Sequence, residues 1–227
     1  MKRSELLEQL AGGICQIERP YPVRVAIDGP DAAGKTTLAD ELVAPLQTRG
    51  RVVIRASIDG FHNPAKLRYV RGRDSAPGYY NDSFNYGSVI ESLLAPLGPG
   101  GSRRYRTATY DYRIDSPVDM PLQMAPPKAI LLFDGVFLLR PELNDYWDLS
   151  IVVDVSFETV LARAEKRDAV ELGGAGQVRR LYEERYIPGQ KLYFEKCRPK
   201  ERASIVIDNN DPNNATFESC SDAAQSA

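Results

Sequence analysis

A glycine-rich segment carries the clearest chemical signal in this sequence. Residues 29–36 read Gly-Pro-Asp-Ala-Ala-Gly-Lys-Thr and match the phosphate-binding pattern G-x-x-x-x-G-K-[ST]. In that pattern the glycines let backbone N–H groups surround phosphate oxygens, the lysine reaches the β- and γ-phosphates, and the hydroxyl can ligate Mg²⁺. The residues that we predict to contact a bound nucleotide are Gly29, Asp31, Ala32, Ala33, Gly34, Lys35, Thr36 and Thr37.

Two aspartates follow segments that resemble buried strands. Asp59 lies just beyond residues 52–56, and Asp134 comes directly after residues 129–133. Because the carboxyl ends of parallel strands meet at one edge of a sheet, both should face the phosphate-binding turn. Asp59 could accept or orient the proton of a substrate hydroxyl, and Asp134 could hold a water on Mg²⁺ near Thr36. Either residue could instead be an ordinary turn aspartate before glycine.

Arginines and aromatic residues form two further groups of candidates. The arginines flank residues 172–177, and we expect one or two of them to stabilise charge on a transferring phosphoryl group, while the others pair with glutamates at the surface. Tyrosines on the irregular stretches could line the pocket of a sugar or nucleobase. His62 follows Asp59 by three residues, so it could face the same crevice or have no chemical role. The arginines are Arg163, Arg167, Arg179, Arg180 and Arg185.

The elements that must position these residues alternate along the chain. Continuous apolar runs predict five strands, and helical segments lie between them, which favours an α/β fold with a doubly wound, mainly parallel sheet covered by helices on both faces. We expect one domain over residues 1–213, with acceptor-binding insertions at about 60–86 and 95–128, a hairpin at 103–113, a lid at about 163–185 and a flexible tail at 214–227. The predicted strands are 23–27, 52–56, 129–133, 149–155 and 203–207, and the helices are 1–10, 37–46, 83–94, 157–167 and 177–184.

Composition excludes several classes of function. A net charge of −2 over 227 residues disfavours a nucleic-acid partner, and there is no apolar run long enough for a membrane span. Three widely spaced cysteines suggest neither a disulfide framework nor a zinc site. These features are typical of a soluble cytoplasmic protein. The amphipathic segment 1–10 could serve as an interface in a homo-oligomer.

Taken together, these motifs resemble the phosphoribulokinase/uridine kinase family of small-molecule kinases over about residues 23–211. The most specific matches are the 29–36 turn, Asp59-Gly-Phe-His62, Tyr110-Asp-Tyr112, Arg167-Asp168 and residues 185–194, followed by 203–210. The resemblance implies ATP and Mg²⁺ as cofactors. It also implies that Asp59 is the catalytic base and helps to hold the metal, that Arg167 is a lid arginine on the phosphates, and that Asn209 lies near adenine.

The resemblance is weaker on the side of the acceptor. Asn85, after Phe84, stands where uridine kinases carry an aspartate that binds ribose, and Asp115 stands where they carry a base-reading histidine. We predict an acceptor site made of His62, Phe84, Asn85, Tyr110, Tyr112 and Asp115. A nucleoside such as uridine or cytidine is the first choice of acceptor, with pantothenate or a sugar as alternatives. An acceptor-independent NTPase switch is the alternative of a different class.

Overall fold

A six-stranded sheet forms the centre of the computed structural model, which describes residues 1–219. In space the strands run in the order β2–β3–β1–β4–β5–β6, and all neighbours are parallel except β6, which is antiparallel to β5. The strands are β1 (Val23–Asp28), β2 (Val53–Ser57), β3 (Ile130–Asp134), β4 (Leu149–Asp154), β5 (Ile205–Asp208) and β6 (Thr216–Ser219).

Both faces of this sheet are covered. Every residue of β1 is buried, and successive residues of the strand join opposite clusters of apolar side chains. Val25 and Ile27 pack with one cluster, whereas Ala26 packs with the other. This double burial explains why the central strands have continuous apolar sequences and not alternating ones.

The helices divide between the two faces. The first cluster contains side chains of α1, α2, α7 and α8, and the second contains side chains of α5, α6 and α9. Short π-helical turns at Ile90–Leu94 and Tyr182–Tyr186 continue α6 and connect α8 to α9. The helices are α1 (Arg3–Gln16), α2 (Lys35–Glu41), α3 (Val43–Thr48), α4 (Ala65–Arg68), α5 (Ala76–Asp82), α6 (Tyr86–Val89), α7 (Phe157–Arg167), α8 (Ala175–Leu181), α9 (Ile187–Cys197) and α10 (Pro199–Arg202).

The predicted α/β class and mainly parallel sheet are confirmed, with two corrections. A sixth strand is present, because Thr216–Ser219 pairs with β5 although we expected a flexible tail from residue 214; the remainder of that segment, 220–227, lies outside the described residues. The predicted 103–113 hairpin is wrong. Arg104–Tyr105 pairs with Gln123–Met124, and Tyr110–Asp111 pairs with Ser116–Pro117. Two short antiparallel pairs therefore lie within one longer excursion from the sheet, residues 104–124.

The register of the sheet brings the predicted site residues to one edge. Asp134, the last residue of β3, pairs with Ile27 of β1 on one side and with Ser57 of β2 on the other. The turn after β1 and the turn after β2 therefore open on the same side of the sheet as Asp134. Across residues 1–219, the structure contains no helix with the length and apolarity that a membrane span requires.

Candidate active site

The glycine-rich turn has the backbone conformation that its sequence predicts. Gly29 has φ +148°, and a Cβ added there would lie 2.3 Å from the carbonyl oxygen of Val153. Gly34 has φ +94° and is the N-cap of α2. Since L side chains are strained in these conformations, both positions favour glycine. The turn thus directs the start of α2, with its positive dipole end, toward the mouth of the site.

Lys35 lies inside this turn. Its Nζ donates a hydrogen bond to the carbonyl oxygen of Pro30 at 2.6 Å, and the side chain is buried. Burial lowers the pKa of Lys35, while Asp31 and other nearby aspartates oppose that effect. A buried lysine surrounded by carboxylates is suited to exchange its carbonyl partner for the oxygens of an incoming phosphate.

Two aspartates of the turn are held by α9. Asp28 accepts hydrogen bonds from the backbone N–H of Gly29 at 2.8 Å and from the hydroxyl of Tyr193. Asp31 Oδ2 accepts from Gln190 Nε2 at 2.7 Å and from the hydroxyl of Tyr79 at 2.8 Å. Gln190 and Tyr193 are three residues apart and share one face of the helix. Sequence reasoning missed these contacts, and Asp31 uses one carboxylate oxygen for a protein contact that we had not expected.

Thr36 and Asp134 come together as predicted. The hydroxyl of Thr36 donates to Asp134 Oδ2 at 2.7 Å, and Arg55 donates to Oδ1 at 3.0 Å. No group of three His, Cys, Asp or Glu side chains in the described chain converges as a metal site. Mg²⁺ fits here nevertheless, because it uses one or two protein oxygens and takes its other ligands from water and phosphate. The hydroxyl proton of Thr36 points at Asp134, which leaves a lone pair for a cation.

Asp59 stands at the same edge without a partner. It lies on a 3₁₀ turn, Ile58–Phe61, and among the described residues nothing donates a hydrogen bond to its carboxylate. The side chain of Asp59 is exposed to solvent. The pKa of Asp59 is raised to about 6, first by desolvation and then by the negative charge of Asp31, while Lys35 opposes the shift. A carboxylate in this state can accept a proton near neutral pH.

An aromatic wall stands next to Asp59. The ring of His62 lies between those of Phe84 and Tyr112, with centroids 4.6 Å away on each side. His62 Nδ1 is 3.0 Å from the carbonyl oxygen of Asp59. Burial lowers the pKa of His62 to about 4, so its imidazole is neutral at pH 7. Phe84 is buried, whereas His62 and Tyr112 are partly exposed, so these two rings are the ones that a planar or sugar-like molecule could contact.

The other three predicted acceptor residues have structural contacts. Asp115 accepts hydrogen bonds from the backbone N–H of Ala65, from Arg68 and from the hydroxyl of Tyr110, which connects the excursion to α4. These donors lower the pKa of the Asp115 carboxyl. Asn85 is exposed and caps α6 by accepting from the N–H of Ser88 at 3.0 Å. Roles for these residues in binding an acceptor remain predictions.

A cleft of about 360 Å³ opens on the opposite side of the glycine-rich turn. Asn209 is buried beside it and donates to the carbonyl oxygen of Ala33 at 2.7 Å. Arg163 donates to the carbonyl oxygens of Asn209 and Asn210, whereas Arg167 pairs with Asp168 at 2.6 Å and has a side chain that is 58% exposed. The cleft is lined by Arg3, Ala32, Gly34, Thr37, Glu41, Arg163, Arg167, Asn209, Pro212 and Asn213.

Comparisons with known proteins agree with this arrangement. Uridine-cytidine kinase B from Dictyostelium discoideum is 27% identical over 157 residues, which is 67% of this chain and 61% of that protein. Uridine kinase-like protein 3 from Arabidopsis thaliana is 27% identical over 161 residues, which is 69% of this chain and 33% of that protein. The match therefore spans less than two thirds of these relatives.

A solved structure shows the same fold. A Bacillus stearothermophilus protein described as a possible uridine kinase has a TM-score of 0.71 and 20% identity, covering 89% of this chain and 97% of that one. The model of the Phosphoribulokinase / Uridine kinase family matches residues 24–209, which include the glycine-rich turn, Asp59, Asp134 and the arginine-rich residues 163–185. This chain belongs to the phosphoribulokinase/uridine kinase family.

Proposed function

We propose that this protein is an ATP-dependent kinase that transfers the γ-phosphoryl group to a hydroxyl of a small metabolite. The observation that carries the proposal is Asp59, an unpartnered carboxylate with a raised pKa at the same sheet edge as Lys35 and Thr36. A switch that hydrolyses NTP without an acceptor would not need the aromatic wall beside Asp59. Family membership supports the same reaction class.

In the proposed reaction, the phosphates of ATP lie on the backbone N–H groups of residues 29–36. Asp59 takes the proton of the acceptor hydroxyl as its oxygen attacks the γ-phosphorus, and the bond to the β,γ-bridging oxygen breaks to release ADP. Lys35 and Arg167 stabilise the negative charge on the transferring group. Thr36, Asp134 and Asp59 are the residues that would hold Mg²⁺, which would supply positive charge to neutralise the phosphate oxygens.

We propose a nucleoside such as uridine or cytidine as the acceptor. His62 and Tyr112 are partly exposed rings that a planar base could contact, with Phe84 packed against His62, beside the carboxylate that would face the sugar hydroxyl. The names of the curated relatives support this choice. Asn85 could donate to and accept from a sugar hydroxyl, but its carboxamide carries no charge.

The acceptor is tested by incubating the protein with ATP, Mg²⁺ and a panel of uridine, cytidine, pantothenate and free sugars, with product mass as the readout. We expect a mass gain of one phosphoryl group on a pyrimidine nucleoside and ADP in equal amount. A phosphorylated product of pantothenate or of a sugar would support the kinase activity but would show that the acceptor is not a nucleoside. ADP formation at the full rate without any acceptor would contradict the kinase and favour the switch.

A further inference from the structure

The helix α1 reaches the cleft beside the glycine-rich turn, although it lies outside the residues that match the family model. Arg3, the first residue of α1, lines the cleft together with Arg163 and Asn209. The helix is held in place by four buried side chains that pack with the core, namely Leu6, Leu10, Ala11 and Ile14. The position of Arg3 is therefore set by the fold and is not that of a loose terminus.

The guanidinium of Arg3 is fixed by an ion pair within the cleft. Its Nε and Nη2 donate to Glu41 Oε2 at 2.9 and 2.6 Å, and its Nη1 lies 3.5 Å from Asn209 Oδ1. The side chain of Arg3 is 20% exposed and that of Glu41 37% exposed, so both still face the open space. The planar guanidinium of Arg3 can therefore contact a ligand in the cleft through its N–H edge or through its flat face.

The position of the cleft indicates which part of a nucleotide it would take. Gly34 of the turn and Thr37 of α2 are among its lining residues, while Lys35, Asp59 and Asp134 are not. Its volume lies in the range of small-molecule sites, which is about 300–1,000 Å³. The nucleoside half of the donor therefore fits this space, and the transferring phosphate lies on the other side of the turn.

We propose that Arg3, oriented by Glu41, is a donor-binding residue that contacts the base and ribose of a purine nucleoside triphosphate. A guanidinium can stack on a purine ring and donate to ring nitrogens or ribose oxygens. By this assignment α1 completes the donor site. The inference rests on the proposed function, because it takes the donor to be ATP.

The test compares binding of two probes by titration calorimetry, ADP and inorganic tripolyphosphate, to the full chain and its variants. For Arg3→Ala we expect about ten-fold weaker binding of ADP, as for the loss of one charge-assisted contact, and unchanged binding of tripolyphosphate. Arg3→Lys keeps the charge but not the planar fork, so it should lose less affinity. It also serves as the informative variant if alanine unfolds α1.

The matched control is Glu8→Ala, which breaks another ion pair of α1, that of Glu8 with Arg49 at 2.6 Å, away from the cleft. It should leave the affinity for ADP unchanged. If Arg3→Ala binds ADP as tightly as Glu8→Ala does, the pair only fastens α1 and the inference is wrong. Equal loss of tripolyphosphate binding would also overturn it. Failure of the unaltered protein to bind ADP or ATP would instead overturn the proposed function itself.

Discussion

Asp59 combines two properties that ordinarily oppose each other. Its carboxylate is exposed to solvent, yet its pKa is raised to about 6 because desolvation and the charge of Asp31 outweigh the attraction of Lys35. A base with this pKa is mostly deprotonated at pH 7 and is still basic enough to take a proton in a transition state. Asp31 and Lys35 both belong to the phosphate-binding turn, so the residues that would bind the donor also influence the pKa of the proposed base.

Replacing Asp59 by asparagine should remove the basic carboxylate while keeping a side chain of the same size and shape. We expect kcat to fall by about 10²–10⁴-fold, with ADP still binding, because the residues of the turn are unchanged. Steady-state kinetics and ADP titration measure the two effects separately. Asp119→Asn is the control, since that side chain is 96% exposed and pairs with Arg106 at 3.4 Å outside the cleft. Near-normal turnover in Asp59→Asn would show that another group takes the proton.

The raised pKa of Asp59 also predicts how activity and stability depend on pH. The value of kcat/KM should fall as pH drops below about 6, because the carboxylate becomes protonated. The free energy of unfolding should depend on pH in the opposite direction. The folded state binds the proton more tightly than the unfolded chain does, so the contribution of Asp59 to the free energy of unfolding decreases as pH rises from about 4 to 6.

Thermal unfolding of Asp59→Asn across that pH range tests the same shift. The variant should have a higher Tm than the unaltered protein at pH 7, and the difference should shrink toward pH 4. Asp119→Asn should show no such trend. A constant difference at all pH values would mean that the pKa of Asp59 is not raised.

At the residue scale, the sequence predicts side chains at strand ends and misses their distant partners. Asp59 and Asp134 could be placed because each follows a recognisable strand. The bond from Gln190 to Asp31 could not, because 159 positions separate the two residues and no local pattern relates them. The structural use of Asp115 was missed for the same reason, since its donors come from α4 and from the excursion around it.

At the scale of elements, an ion pair joins the start of β1 to the start of β4. Arg24 lies in the buried strand β1, and both its backbone N–H and its Nε donate to Asp148 Oδ2, at 2.9 and 3.0 Å. The two side chains are 6% and 5% exposed. Tyr21 and Arg19 add hydrogen bonds to Asp148 Oδ1. The carboxylate thus compensates a charge that the sheet would otherwise bury alone.

Asp148→Ala should therefore destabilise the fold. Removing one partner of a buried pair costs about 3–5 kcal/mol, since the remaining charge is left without compensation. Urea unfolding measures the loss. Asp119→Ala, at an exposed ion pair, should change the free energy of unfolding by less than about 0.5 kcal/mol. A loss in Asp148→Ala no larger than that of the control would show that Arg24 finds another partner or solvent.

Elements with a strong pattern could be predicted, and short ones could not. The five strands that we predicted each contain at least three consecutive apolar residues, which is typical of buried parallel strands. The pairs at 104–105 and 110–111 have only two residues each, too few to show any periodicity. Strand β6 begins at Thr216 within a small, polar stretch, and it is ordered by pairing with β5 and not by its own sequence.

At the scale of the whole molecule, one helix connects the donor and acceptor sides. Gln190 and Tyr193 of α9 bind Asp31 of the phosphate-binding turn and Asp28 at the end of β1, and Tyr79 of α5 also binds Asp31. Through the turn Tyr182–Tyr186, α9 continues into α8 next to the lid, where Tyr182 donates to Asp168. The phosphate-binding turn is thus joined by direct contacts to helices within residues 60–86 and next to residues 163–185, which we predict to be an acceptor-binding insertion and a lid.

The central claim is that this site moves a phosphoryl group from a nucleotide to an acceptor hydroxyl. The most direct measurement is the fate of the γ-phosphoryl group of ATP carrying ¹⁸O, followed by mass spectrometry in the presence of uridine or cytidine. We predict that the labelled group appears on the nucleoside with the unaltered protein and not with Asp59→Asn. Label recovered only as inorganic phosphate, at the same rate with and without acceptor, would contradict the account.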